Sequence, residues 1–209
     1  VREQLARMPA IGPTWSNLSY WVKWHAPDYP CPTNPEVPSA TDGKANIYLF
    51  PKWFELTQEE KLYAVLHEMA HVILDHLGRE KPAGATNAKL WRIAADVPIY
   101  RAFRDTPGTS VPPNHYRFME DVLELVRDSS HTTEQVYRDL LPHQNDLESL
   151  LADAGGHNIV STCEHHQTEE ESSMTGPGAE AQAKKAGAKA IQGILASGRG
   201  GQPEEIKVL

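Results

Sequence analysis

The sequence predicts an α+β fold, mostly helical, with a small sheet or hairpin packed beside one central helix. Three observations predict it. Residues 63–77 read Tyr-Ala-Val-Leu-His-Glu-Met-Ala-His-Val-Ile-Leu-Asp-His-Leu, a run that reads as one buried helix. Upstream, Asp42-Gly43 is a hairpin-turn signal and Ile47-Tyr48-Leu49-Phe50 is a short strand. Downstream, helical spacing returns repeatedly as far as residue 141.

With 209 residues the chain can hold one domain of ordinary size plus a tail. The domain is expected over residues 1–153, and residues 154–209 read as a flexible linker with an Ala/Gly-rich tail. Residues 2–8 suit a short helix stopped by Pro9 and Gly12. Trp15 to Trp24 is aromatic-rich and reads as a helix packed on the core. Pro27, Pro30, Pro32, Pro35 and Pro38 make the next stretch an irregular loop, in which Cys31 reads as a bystander. Thr57 followed by Glu60 forms a capping box, so the central helix starts near Gln58 and runs to Gly78. Helices follow at 87–103, 115–127 and 132–141, the last closed by Pro142, with a further short one at 144–153. From Gly155 to residue 178 the chain is too polar to form a core and is expected to be mobile, whereas 179–196 is Ala-rich and suits a helix.

The formal net charge is −8 with a pI near 5.7, and no basic stripe appears, so nucleic acid is not an expected partner. No apolar run reaches transmembrane length, and the first residues lack the apolar core of a signal peptide. Two cysteines far apart, Cys31 and Cys163, form no disulfide framework. Together these features set a cytoplasmic location as the expectation.

The chemistry is concentrated in His67-Glu68-Met69-Ala70-His71. Residues four apart on a helix lie ~40° apart in rotation and ~6 Å along the axis. His67 and His71 therefore project side by side and can grip one Zn²⁺, while Glu68 sits where a general base belongs. Buried polar groups cost ~1–3 kcal/mol each when unsatisfied, and a metal would give both histidines a partner. The alternative is two core histidines bonded to carbonyls, with Glu68 in an ion pair. A third ligand is needed for a catalytic zinc. Asp96 falls among Ile93, Ile99, Tyr100 and Phe103 on an apolar helix face, where a carboxylate needs a cation or strong donors. An ion pair with Arg92, or capping of a helix restarted at Pro98, are the other readings of Asp96. Asp75 is about 12 Å along the axis from His67, too far to share its metal, and is left to pair with Arg79. His76 points round the helix from His71, as a supporting or surface group.

These stretches together resemble a family of bacterial and phage metallopeptidases whose longer members carry a C-terminal von Willebrand factor A-like domain. Four landmarks carry the resemblance: Ala40-Thr41-Asp42-Gly43 with Ile47-Tyr48 and Pro51; His67-Glu68-x-x-His71 with His76; Trp91-x-Ile93-Ala94-Ala95-Asp96; and Glu134-Gln135-Val136-Tyr137-x-x-Leu140. Ile99-Tyr100 stands where family members often have Ile-Asn, and Pro98 is unusual in that helix. The resemblance implies a zincin-like fold with Asp96 as third ligand. The resulting expectation is a zinc metallopeptidase in which Glu68 activates water against a peptide or protein substrate. Tyr100 is a candidate for oxyanion stabilisation or simply core. A weakly catalytic scaffold that binds a regulatory protein partner is the alternative.

Overall fold

The central helix α1 spans Gln58–Ile73, and its first turn is fixed as the sequence requires. Thr57 Oγ1 accepts from the Glu60 amide at 3.3 Å, and the Thr57 amide donates to Glu60 Oε2 at 2.9 Å. Every residue from Leu62 to Ile73 is buried, so this is a core helix on all sides. The computed structural model describes residues 15, 19, 22–32, 34–43, 45–126 and 132–147. The expectations for 2–8, for the 153/154 boundary, for the polar run 155–178 and for the Ala-rich segment lie outside the described residues.

α1 does not continue to Gly78. It ends at Leu74, Asp75 takes a left-handed conformation (φ 52°), and a separate four-residue helix α2 covers His76–Arg79. Aspartate is among the few residues that tolerate this conformation. A Cβ at Gly78 would lie 2.5 Å from Asp75 Oδ1, so a larger residue there would have to displace the Asp75 side chain. The chain therefore turns a corner where unbroken periodicity predicted a straight rod.

Three strands form one sheet in the order β1 (Lys23–His25), β3 (Asn46–Leu49), β2 (Ser39–Thr41). β1 runs parallel to β3, and β2 runs antiparallel to it with Ala40 opposite Tyr48. The helix expected up to Trp24 thus stops short. A helical bond from the Ser19 amide to the Trp15 carbonyl is present at 3.0 Å, but Lys23 and Trp24 are strand. The predicted turn is there, with Gly43 at φ 70°, where a side chain is strained, and a Cβ position only 2.7 Å from Leu77 Cδ1, so a larger residue would also have to displace Leu77. Asp42 closes it by accepting from the Asn46 amide nitrogen at 3.2 Å and side-chain nitrogen at 2.6 Å. Cys31 is no bystander. It is disulfide-bonded and buried with Val37, Ala40, Tyr48 and Phe50 in a small second core; the only other cysteine, Cys163, lies outside the described residues.

Helix α3 spans Ala88–Phe103, capped where Asn87 Oδ1 accepts from the Leu90 amide. It continues through Pro98, which forgoes one backbone bond to residue 94. α4 covers Pro113–Leu125 and α5 Thr133–Leu140, followed by a 3₁₀ turn at Leu141–His143. Residues 144–147 are helical, the described start of the helix expected at 144–153. α1 packs on β2 and α3, and α3 packs on α5 and α4. Leu66, Met69, Trp91, Ile99 and Met119 lie in this main core. No described helix is long and apolar enough to cross a membrane.

Candidate metal centre

His67 and His71 leave α1 one turn apart, and α3 brings Asp96 against them. His67 Nε2 and His71 Nε2 are 2.9 Å apart. Asp96 Oδ1 lies 3.4 Å from the first and 3.0 Å from the second. All three side chains are at most 1% exposed. The chemistry of this donor set fits a divalent metal ion. Two ligand atoms held ~2.0–2.1 Å from a tetrahedral ion stand about 3.3 Å apart, close to the spacings found. Two imidazole nitrogens at 2.9 Å can share only one proton between them. Neither Asp96 oxygen has a partner in hydrogen-bonding geometry, and His67 Nδ1 has none either. Buried polar atoms rarely remain so. Burial pushes the Asp96 carboxyl upward, yet the His67 and His71 imidazoles outweigh it and hold Asp96 ionised well below the usual carboxylate range.

Glu68 is fully buried beside this triad. Ser39 Oγ on β2 donates to its Oε1 at 3.0 Å, whereas Oε2 has no partner. Burial raises its carboxyl to about 7, against the opposing pull of His67 and of the Ser39 hydrogen bond. A carboxylate so poised can take and return a proton near neutral pH.

The centre has a second wall that sequence reasoning missed. His115 on α4 is fully buried, with its ring 5.6 Å from that of His67 and nearly perpendicular to it. Its Nε2 is 3.1 Å from the Tyr63 hydroxyl. Burial keeps the His115 imidazole neutral, with its pKa lowered to about 3. A signal existed: His115, Phe118, Met119 and Val122 are the buried residues of α4, an apolar stripe that begins with the histidine. Ser39 carried no comparable signal, because its contact spans 29 positions. Tyr100, the oxyanion candidate, directs its hydroxyl to Glu120 Oε1 at 2.5 Å, and Arg104 Nη1 donates to the same oxygen at 2.8 Å. Burial and this bond raise the Tyr100 pKa. Its ring still faces His115, at 6.2 Å.

A family profile described as a putative metallopeptidase domain matches residues 2–207 of the chain. The chain belongs to this family. A metal is therefore implied by kinship as well as by the donor set. Neither a curated protein nor a solved structure matches.

The landmarks of this metallopeptidase-domain chain have physical reasons. Because α1 breaks at Asp75, His76 swings back onto His71, and their Nδ1 atoms are 2.9 Å apart. His76 Nε2 meets Thr133 Oγ1 at 3.1 Å, and Trp91 Nε1 donates to the His76 carbonyl at 2.8 Å. His76 therefore supports a candidate ligand from behind, as partners of metal-bound histidines do. Arg79 pairs with Glu134 through two contacts of 2.7 Å. The Tyr137 hydroxyl accepts from the Thr86 and Asn87 amides, both at 3.1 Å, and so fixes the start of the helix that carries Asp96.

Proposed function

We propose that this chain is a zinc-dependent peptidase of zincin-like fold, with His67, His71 and Asp96 holding the ion and Glu68 as general base. One observation carries this reading. Three ligand atoms converge beside a buried carboxylate whose second oxygen has no partner. A site serving structure alone needs no such base next to its ligands. Zinc, when bound, supplies a Lewis acid for a substrate carbonyl and makes water easier to deprotonate.

The rest is the work of the chain's own residues. Ser39 occupies Glu68 Oε1 and so leaves Oε2 to receive a proton from the attacking water. Protonated Glu68 then returns that proton to the leaving amine. His76, backed by Thr133, fixes the rotation of His71. Tyr100 enters as a wall of the site, since its hydroxyl hydrogen is committed to Glu120. A depression of about 200 Å³ is lined by Pro38 and Asn114, the chain neighbours of Ser39 and His115, and by Glu60.

A second reading is favoured by burial. His67, Glu68, His71, Asp96 and His115 are all at most 1% exposed, so a peptide reaches them only after the structure opens. A partner protein that opens the site, or a scaffold that hardly turns over, suits that enclosure. The disulfide at Cys31 removes the argument from free thiols for a cytoplasmic location.

Glu68→Gln separates the readings. For a peptidase, hydrolysis of a peptide library falls by ~10²–10⁴ while zinc content holds. Full turnover by Glu68→Gln would remove the general base. For a scaffold, Glu68→Gln is silent and His71→Ala impairs partner binding.

A further inference from the structure

His115 and Tyr63 form a buried pair whose hydrogen-bond arithmetic leaves one group over. Both side chains are fully buried, and the Tyr63 hydroxyl is 3.1 Å from His115 Nε2. The hydroxyl either donates to that nitrogen or accepts from it. If it accepts, its own hydrogen is stranded in the core and His115 Nδ1 is a stranded acceptor. If it donates, Nε2 is satisfied and a single group is left, an N–H on Nδ1. Each stranded group costs ~1–3 kcal/mol, so donation by Tyr63 wins. Nδ1 is buried and has no partner.

The surroundings say what that donor is for. His115 stands edge-on to His67, with ring centroids 5.6 Å apart, and Tyr63 faces His67 from another side at 5.8 Å. His67, His71 and Asp96 all act electrostatically on His115. Unpartnered atoms recur on the same site, among them Glu68 Oε2 and Asp96 Oδ2. We propose that His115 Nδ1–H, held in that tautomer by Tyr63, is the hydrogen-bond donor that binds a negatively charged or carbonyl oxygen, or a small anion, within the centre formed by His67, His71 and Asp96. In a peptidase this is the group that stabilises charge developing on the substrate's carbonyl oxygen. The inference rests on the metal reading proposed above.

The test uses the whole chain loaded with Co²⁺, titrated with azide and followed by the visible absorption of the ion. His115→Phe keeps a ring against Tyr63 and removes the donor. Co²⁺ is expected to bind at one per chain, and the azide Kd to rise about tenfold, the worth of one hydrogen bond to a charged group. His115→Gln, which restores an N–H, is expected to recover part of that loss. Tyr63→Phe, which releases the tautomer, is expected to weaken azide binding by a smaller factor and serves if His115→Phe does not fold. Equal azide affinity in wild type and the folded variants would overturn the donor role while leaving the metal reading intact. Loss of Co²⁺ from a folded His115→Phe protein would overturn it too, by making His115 a ligand. A wild-type chain that takes up no Co²⁺ would overturn the metal reading and this inference with it.

Discussion

Two polar clusters sit at opposite ends of the same helix break, and they are built differently. Behind the break, every named contact is closed: Arg79 with Glu134, His76 with Thr133 and Trp91, Tyr137 with two amides. In front of it, His67 Nδ1, Glu68 Oε2, Asp96 Oδ2 and His115 Nδ1 are buried without hydrogen-bond partners, and Asp96 Oδ1 has only the two imidazole nitrogens, at 3.0 and 3.4 Å. The first cluster behaves as a buttress, in which satisfied hydrogen bonds hold α2 and α5 against α3. The second concentrates unsatisfied groups in the fully buried core, a cost that stability alone does not explain. Although Arg79 and Glu134 are partly exposed, burial alone does not explain the difference, since His76 and Thr133 are as buried as His67. Satisfaction does.

The comparison breaks most visibly at His71, which belongs to both clusters. His71→Ala is expected to abolish metal binding and to destabilise the fold by about 3–5 kcal/mol, because Asp96 and His76 each lose a buried partner. Metal analysis and denaturant unfolding check both. Acidity should then separate the unsatisfied groups in metal-free protein. Glu68 is raised from 4.5 to about 7, so its favourable contribution is present below pH 4.5 and lost as pH rises through 7. His115 is lowered from 6.5 to about 3, so its contribution is present above pH 6.5 and lost as pH falls toward 3. The two oppose each other between pH 4.5 and 6.5. Glu68→Gln should remove the first and leave a protein that gains stability from pH 3 to 6.5 without the decline toward 7, measurable by unfolding at several pH values.

Smaller effects sharpen the buttress side. Thr133→Val removes the group that meets His76 Nε2 and should weaken metal affinity about tenfold, as loss of a supporting partner does, with one metal per chain still bound at saturation. Arg79→Ala should cost about 1 kcal/mol or less, because that pair is partly exposed, and should leave metal affinity unchanged. An Arg79→Ala variant that lost metal in a competition titration would merge the two clusters into one.

The sequence made the front cluster easier to read than the back one. His67, Glu68, His71 and Asp96 stood out because polar residues on apolar helix faces conflict with their surroundings, and that conflict is visible locally. The caps at Thr57 and Asn87 and the turn at Gly43 are likewise short-range. What stayed hidden depends on distant or backbone events. The left-handed Asp75 split a helix whose periodicity was unbroken, and only that break brings His76 to His71. Trp24 followed its pairing with Ile47 into a strand, against the helical reading of its neighbours. Ser39 reached Glu68 across 29 positions. His115 was legible in principle, yet an amphipathic helix does not announce which of its buried residues matters.

The most direct test of the central claim, that the unsatisfied cluster exists to hold a metal, is stoichiometry by competition with a chromophoric chelator. Wild type should take up one Zn²⁺ per chain, Glu68→Gln should do the same, and Asp96→Asn should fall in affinity by at least tenfold, since it replaces the carboxylate ligand with a neutral amide. Wild-type protein that stays metal-free in excess zinc, or Asp96→Asn protein that binds as tightly as wild type, would contradict the account.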